Sequence, residues 1–157
     1  MPTINLTTEI NAPQQIVFDL ARSIDFHQLT THKTNEKAIA GRTKGLIQLG
    51  ETVTWRAKHL GIYQTLTSKI TEMELYSHFT DEMEEGIFES IKHQHLFELK
   101  NGKAVMTDNF HYTSPLGILG KLADSLFLKQ YLTAFLLRRN SLIKEHAEKE
   151  NIPIKVE

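Results

Sequence analysis

The chain has 157 residues and contains no cysteine. This absence excludes disulfide bonds, thiolate nucleophiles and cysteine-based zinc sites, and it suits a reducing compartment. The N-terminal residues 1–5 also lack the basic and apolar regions of a secretory signal peptide. We therefore expect a cytoplasmic protein.

The sequence lacks an excess of either sign of charge. The chain carries 18 basic and 19 acidic side chains, for a formal net charge of −1, and has no long run of either sign. The composition therefore gives no support for nucleic acid as a partner. The longest apolar stretch, 116–137, is interrupted by the polar residues Lys121, Asp124, Lys129 and Gln130. It is a poor integral membrane span, although Arg138 and Arg139 leave room for a transient contact with lipid headgroups.

Proline and glycine are nearly absent from the middle of the chain. No proline occurs between Gln14 and Ser114, and glycine occurs within 51–113 only at 61, 86 and 102. Each of these glycines lies where a hairpin turn is needed, and a fourth turn is expected near 73–75, where the alternation changes phase. The pattern predicts five consecutive strands, at 51–60, 62–72, 75–83, 88–99 and 103–113.

The segments before these strands predict smaller elements. Alternating apolar residues over 4–10 predict a half-buried strand, and the proline that follows suits the first turn of a helix. A second short helix is expected over 23–31, with Phe26 and Leu29 facing inward. A weak strand is expected near 36–40.

After residue 114 the pattern becomes that of one long apolar helix, expected over 115–147. Its apolar face comprises Leu119, Leu122, Leu126, Phe127, Leu132, Phe135, Leu136, Leu142 and Ile143. At 1.5 Å per residue this helix would be roughly 45–50 Å long, enough to cross a whole sheet. No internal repeat or second domain is apparent, so we expect a single domain over 1–157.

Asn101-Gly102 is the strongest turn signal in the sequence. A type I′ turn requires positive φ at both central residues, which asparagine and glycine adopt most readily. Such a turn fixes the register of its hairpin. We therefore expect Phe97 to face Met106, and His95 to face Asp108, across the last two strands.

Four short segments carry a likeness to a known family: Ile10–Phe18, Gly50–Trp55, Met106–Phe110 and Ser114–Gly117. With them, the chain resembles the START/Bet v1-like superfamily (SRPBCC), in its bacterial branch of polyketide cyclase/dehydrase and lipid-transport proteins. The resemblance runs nearly end to end but rests on turns, caps and core positions. It implies an α+β helix-grip fold, in which a curved seven-stranded antiparallel sheet with two short helices and a long C-terminal helix encloses a cavity. Members bind lipids, sterols, polyketides or quinones, and a minority are enzymes, so the fold does not choose an activity.

The alternation of apolar residues assigns one face of each strand to the interior. That face also carries polar residues that a plain core would not contain. The residues we expect to bind a ligand are Trp55, His59, Gln64, Leu66, Phe79, Asp81, His93, His95, Phe97, Met106, Asp108 and Phe110 from the sheet, and Leu126 from the helix. A few polar groups in an otherwise apolar pocket fix the orientation of a bound molecule.

His95 and Asp108 admit three interpretations. The simplest is a cross-strand pair in which each side chain satisfies the other, since a buried carboxylate is costly without a partner. The second is a role in orienting the polar head of a ligand. The third is catalysis, with Asp108 orienting His95 as a general base.

His93 and His95 place two imidazoles on one face of a strand, a spacing that metal sites use. His59, Asp81 and Asp108 would extend this set, but His59 lies at the end of its strand, away from the others. A hydrated polar patch explains the same residues. We therefore expect neither a metal nor another cofactor.

Segment 41–50 contains three glycines around the apolar residues Leu46, Ile47 and Leu49. It has two interpretations: a mobile lid over a bound ligand, or an ordinary connection whose apolar groups pack on the sheet. The sequence does not distinguish them.

These observations predict a protein that binds a small hydrophobic or amphiphilic ligand, such as a lipid, polyketide or quinone-like molecule, as a monomer or weak homodimer. The alternative is a cyclase, dehydratase or hydrolase. The motifs of serine hydrolases, phosphate-binding loops and zinc peptidases are absent from the sequence. A third hypothesis, lipid delivery or protein interaction, predicts a solid interior and an exposed apolar patch around 46–49 or on the helix.

Overall fold

The computed structural model describes residues 2–115 and 117–151, without the side chains of 123–125. The strands are β1 (Thr3–Ile10), β2 (Lys37–Gly41), β3 (Thr52–His59), β4 (Ile62–Glu74), β5 (His78–Glu85), β6 (Ser90–Lys100) and β7 (Lys103–Thr113). The helices are α1 (Gln14–Arg22), α2 (Ile24–Thr30), α3 (Gly117–Ala123) and α4 (Lys129–Glu150), with a 3-10 turn at His32–Thr34. Residues 1, 116 and 152–157 of the expected domain lie outside the described part.

All strands belong to one antiparallel sheet with the order β1-β7-β6-β5-β4-β3-β2. Strands β3 to β7 are hairpin neighbours, whereas β1 pairs with β7, so α1 and α2 connect one edge of the sheet to the other. The register shifts in β2 between Ala38 and Ala40, and in β4 at 67–68 and 70–72. Such bulges bend a strand and increase its twist. The sheet therefore curves around α4, and the expected helix-grip α+β fold is confirmed.

The expected turns and register are largely correct. Asn101 and Gly102 have φ of 50° and 76°, and the register places His95 opposite Asp108 and Phe97 opposite Met106, as predicted. Strand β5 begins three residues later than expected. Residues 75–77 form a turn instead, in which Ser77 N donates to Glu74 O at 3.0 Å and Tyr76 has a φ of 67°.

One end of the fold is a dense aromatic core. The ring of Phe18, on α1, has no exposed surface and makes edge-to-face contacts with Phe79 and Phe97 at centroid distances of 5.5 and 5.1 Å. Met106 and Ile143 belong to the same cluster. This core joins the first helix, the central strands and α4.

The C-terminal helix differs from the expected single apolar helix. A π turn, Asp124–Leu128, separates α3 from α4. Helix α4 buries Leu136 and Ile143, as predicted, and also Ala147. The helix was expected to end at residue 147, but α4 continues to Glu150.

The apolar residues at the start of this helix do not face the interior. Exposed side chains here include Leu119, Leu122, Leu126 and Phe127, and Ile118 is 85% exposed. Among the described elements, α3 has substantial contacts only with the π turn. The prediction of a continuous inward face is wrong for these residues because α3 does not pack on the sheet.

Helix α2 corrects one further expectation. Phe26 is buried as predicted, but Leu29 is 62% exposed. The buried side of this two-turn helix consists of Ile24, Phe26 and Thr30, which turns Leu29 towards solvent. Within the described part of the chain, no helix combines the length and hydropathy needed to traverse a bilayer.

Candidate binding cavity

A cavity of about 190 Å³ lies between the concave face of the sheet, the α1–α2 junction and α4. Its apolar wall consists of Ile24, Ile47, Val53, Trp55, Leu66, Ile70, Phe79, Phe88, Ile91, Phe110, Leu132, Phe135 and Leu136. Strand alternation explains the wall, because the inward side chains of β3 to β7 recur every second residue. The interior is therefore not solid, contrary to what the lipid-delivery hypothesis predicts.

Most of the residues expected to bind a ligand lie at this cavity. They are Trp55, His59, Leu66, Phe79, Asp81, His93, His95 and Phe110. The inward face of each strand was thus assigned correctly. Position along the strand decides which members of that face reach the cavity.

The other expected residues do not line the cavity. Phe97 and Met106 are buried in the aromatic core, because they lie farther along the β6–β7 hairpin. Gln64 is half-buried opposite Ala57, near the β3–β4 turn. Leu126 is 68% exposed on the π turn. These assignments are corrected.

Asp108 lies behind the cavity wall, with no exposed surface. Its Oδ1 accepts a hydrogen bond of 2.8 Å from Nε2 of His93, and its Oδ2 accepts one of 2.6 Å from Nδ2 of Asn140. Nη1 of Arg139 is 3.9 Å from the same Oδ1. The carboxylate thus links β6 to α4, and its aligned imidazole partner is His93, where the sequence predicted His95.

His95 lies between two carboxylates. Its Nε2 donates to Oδ2 of Asp81 at 2.9 Å. Its Nδ1 is 3.1 Å from Oδ1 of Asp108, close enough for an ion pair but not aligned for a hydrogen bond. Both faces of the ring are covered, by Phe79 at 4.2 Å and by His93 at 3.7 Å between centroids. Neither ring nitrogen faces open space.

The ionisation of this group follows from burial and mutual contact. Burial raises the pKa of Asp108, but the adjacent His93 and His95 outweigh it and hold the pKa well below its ordinary value. Burial and the neighbouring His95 lower the pKa of His93, whereas the two carboxylates overcome burial and raise the pKa of His95. The group therefore favours a neutral His93 beside a charged His95 that lies between two carboxylates.

A second polar group lies at the α2–β2 side of the cavity. Nε2 of His27 donates to Oε1 of Glu36 at 3.1 Å, and the imidazole of His27 lies against the indole of Trp55, with centroids 4.2 Å apart. Oε2 of Glu36 is buried and has no hydrogen-bond partner. Burial raises the pKa of Glu36, but His27, His59 and Arg139 outweigh it, so the pKa is lowered.

His59 closes this side of the cavity from the end of β3. Its Nδ1 and the hydroxyl of Tyr131 are hydrogen-bonded at 2.7 Å, and Phe135 contacts the ring edge-on at 5.7 Å. Burial lowers the pKa of His59, although Glu36 opposes the shift. As expected, His59 is separate from the His93–His95 pair.

The sequence analysis missed four charged or titratable residues of the wall: Arg22, His27, Glu36 and Arg139. Arg22 and Arg139 are buried. Arg22 Nη1 donates to Gln48 Oε1 at 3.1 Å, and Arg139 Nη2 donates to Ala21 O at 3.0 Å. Arg138 is exposed, whereas its neighbour Arg139 is buried and is not available to lipid headgroups. No local pattern marks Glu36, which follows the left-handed Asn35.

Segment 41–50 is held by a buried side chain and by hydrogen bonds to neighbouring residues. Ile47 is buried in the core, and its N donates to Arg22 O at 3.3 Å. Ile24 N donates to Gly45 O at 2.9 Å, and the guanidinium of Arg42 donates two hydrogen bonds to Glu51. These contacts favour the ordinary connection over the mobile lid.

Comparison with known proteins shows which solved structures share this fold. No protein-family model matches the chain, and no curated protein matches its sequence. Several solved structures match its fold. TTHA0849 from Thermus thermophilus has a TM-score of 0.72 at 15% identity, covering 93% of this chain and 99% of that one. The ZhuI aromatase/cyclase from Streptomyces sp. R1128 has a TM-score of 0.71 at 13% identity, covering 95% and 94%. Ginseng major latex-like protein 151 from Panax ginseng has a TM-score of 0.68 at 17% identity, covering 93% and 97%.

The chain has the helix-grip fold of START/Bet v1-like proteins. The likeness extends over nearly the whole of each compared chain, which confirms the resemblance expected from the sequence at the level of fold. At these identities the likeness does not assign an activity.

Proposed function

We propose that the protein binds a small, mainly hydrophobic molecule of one or two rings in the helix-grip cavity. The observation that carries the proposal is the cavity of about 190 Å³, whose wall is mostly apolar and which has polar groups on two sides. An apolar cavity of about 150 Å³ is enough to bind benzene. A sterol or a two-chain lipid therefore exceeds the available volume.

Polar contacts are needed for useful affinity. Burying roughly 200 Å² of apolar ligand surface contributes about 5 kcal/mol, which corresponds to a dissociation constant of only about 0.2 mM. Asp81, whose side chain is 23% exposed, is placed to accept a hydrogen bond from the ligand's polar end. The ligand is thus amphiphilic, with a hydroxyl or similar donor.

Calorimetric titration with a size series tests this proposal. We expect 2-naphthol to bind more tightly than naphthalene, and cholesterol not to bind. Leu132→Trp should weaken 2-naphthol binding by about tenfold or more, because the larger side chain fills the cavity. Leu137→Trp is the matched control on the same helix, since Leu137 is 48% exposed. Equal affinity in both variants would place the ligand elsewhere and refute the proposal.

A transient contact with a membrane surface is a second candidate function. It is supported by the exposed apolar residues Ile118, Leu119 and Phe127 near the start of the C-terminal helix, because such patches often mark interaction surfaces. The test is flotation with phosphatidylcholine vesicles. The wild type should float, and Ile118→Ser/Leu119→Ser should not. Absence of wild-type flotation rejects this role.

The enzymatic alternative finds less support in the geometry. A general base needs a ring nitrogen that reaches the substrate, but His95 is covered on both faces and has a carboxylate beside each nitrogen. We therefore assign His95 and Asp108 to positioning. Their catalytic role stays a prediction, which turnover of a cyclisable diketone by the wild type, but not by His95→Asn, would support. Cytoplasmic location and a monomer or weak homodimer likewise stay predictions, testable by fractionation and sedimentation.

A further inference from the structure

Three side chains converge on one side of the cavity. A donor atom from each of Asp81, His93 and His95 lies within 4.8 Å of the other two. Sheet register causes this convergence, because Asp81 is directly opposite His93 on the neighbouring strand, and His95 follows on the same face. The two imidazoles overlap at a centroid distance of 3.7 Å. All three side chains line the cavity.

Asp108 supports both imidazoles from behind. Metal-bound histidines usually donate their second ring N–H to a carboxylate, which fixes the tautomer and the ring orientation. His93 donates from Nε2 to Oδ1 of Asp108 at 2.8 Å, which leaves Nδ1 as the lone-pair donor of a neutral ring. His95 has Nδ1 3.1 Å from the same oxygen and directs Nε2 to Asp81. Asn140 holds Asp108 in this place.

We propose that Asp81, His93 and His95 bind one divalent transition-metal ion, of the zinc or ferrous class, at the edge of the cavity. Two imidazoles and one carboxylate form a donor set suited to these ions, and three protein ligands leave further positions for water or the polar end of a ligand. This inference goes beyond the proposed function, since the site stands without an organic ligand. It also revises the expectation of no metal.

The distances require only local adjustment. Metal–nitrogen bonds of about 2.1 Å place tetrahedral donor atoms about 3.4 Å apart. His95 Nε2 and Asp81 Oδ2 are 2.9 Å apart, so these two atoms must separate by about 0.5 Å to hold an ion instead of a shared proton, and His93 must approach them. Asp81 and Asp108 supply two carboxylates at this site, and Arg139 lies 3.9 Å from Asp108. The two carboxylates attract a dipositive ion, which displaces the proton of His95 as it binds.

The experiment is a titration of untagged protein that has been stripped with chelator and dialysed. Co²⁺ is followed by its visible absorption, and Zn²⁺ by calorimetry. We expect one ion per chain, with affinity reduced by about 100-fold in Asp81→Asn and in His93→Asn. His93→Asn removes the imidazole but keeps a donor for Asp108. His78→Gln is the control, because His78 lies on the same strand as Asp81 with its Nδ1 3.8 Å from a Glu74 oxygen.

Three outcomes overturn the inference: no stoichiometric binding by the wild type, unchanged affinity in a variant at 81 or 93 that folds, or an equal loss in His78→Gln. Circular dichroism of each variant establishes folding. Binding of 2-naphthol to metal-free protein is measured in parallel. Loss of metal binding with retained naphthol binding separates this inference from the proposed function, and the converse result refutes only the latter.

Discussion

The side-chain amide of Asn140 donates a 2.6 Å hydrogen bond to Asp108, so helix α4 is joined to strand β7 through a fully buried carboxylate. The bond spans the interior of the helix-grip fold at the back of the cavity. It is a direct buried contact between the C-terminal helix and the sheet.

Replacing this amide should therefore be costly. Asn140→Leu leaves Oδ2 of a buried carboxylate without its partner, and a hydrogen bond to a charged group contributes about 1.5–3 kcal/mol. We expect the free energy of unfolding to fall by about 2–3 kcal/mol, as measured by urea denaturation. Ser141→Ala, on the exposed neighbouring position, should change it by less than about 0.5 kcal/mol. Equal effects would show that the amide has no special role.

The aromatic core predicts a larger loss. Phe18 is fully buried against Phe79 and Phe97, so Phe18→Ala removes contacts and leaves a cavity. Such truncations cost about 3–5 kcal/mol. Phe127→Ala, at a residue 46% exposed, should have a much smaller effect in the same denaturation experiment. A small loss in Phe18→Ala would mean that the core collapses around the gap.

Glu36 should make stability depend on pH in the acid range. Its folded-state pKa is lowered, so its contribution is present above the ordinary value of 4.5 and is lost as the pH falls through the folded value. Glu36→Gln should remove this component, giving a shallower loss of stability below about pH 4.5. Urea denaturation from about pH 3.5 to 7 measures both slopes. Identical slopes would contradict the assigned contact with His27.

His59 should act nearer to neutral pH. Its folded-state pKa lies below the ordinary value of 6.5 because it is buried, with Glu36 opposing the shift. Its contribution is therefore present above about pH 6.5 and is lost as the pH falls below that value. His59→Gln should flatten the stability profile between about pH 6.5 and 5, as followed by thermal denaturation. The exposed His32, changed to Gln, should leave the slope as it is in the wild type.

Local sequence predicted what depends on near neighbours. The glycines at 61 and 102 mark turns, and Asn101-Gly102 set a hairpin register that brought His95 opposite Asp108. Period-two alternation identified the inward face of each strand. These features depend on backbone conformations within a few residues, so the sequence contains them directly.

The sequence pattern specified the hairpin order of the β3–β7 meander and the inward faces, and the family resemblance supplied the helix-grip class. Three-dimensional packing selected which inward residues line a cavity, paired Asp108 with His93 and Asn140, and brought Glu36 to His27 beneath Trp55. It also left α3 standing away from the sheet. Side chains that are distant in the chain meet only where strand curvature and helix placement bring them together. No short-range sequence pattern encodes that curvature or that placement.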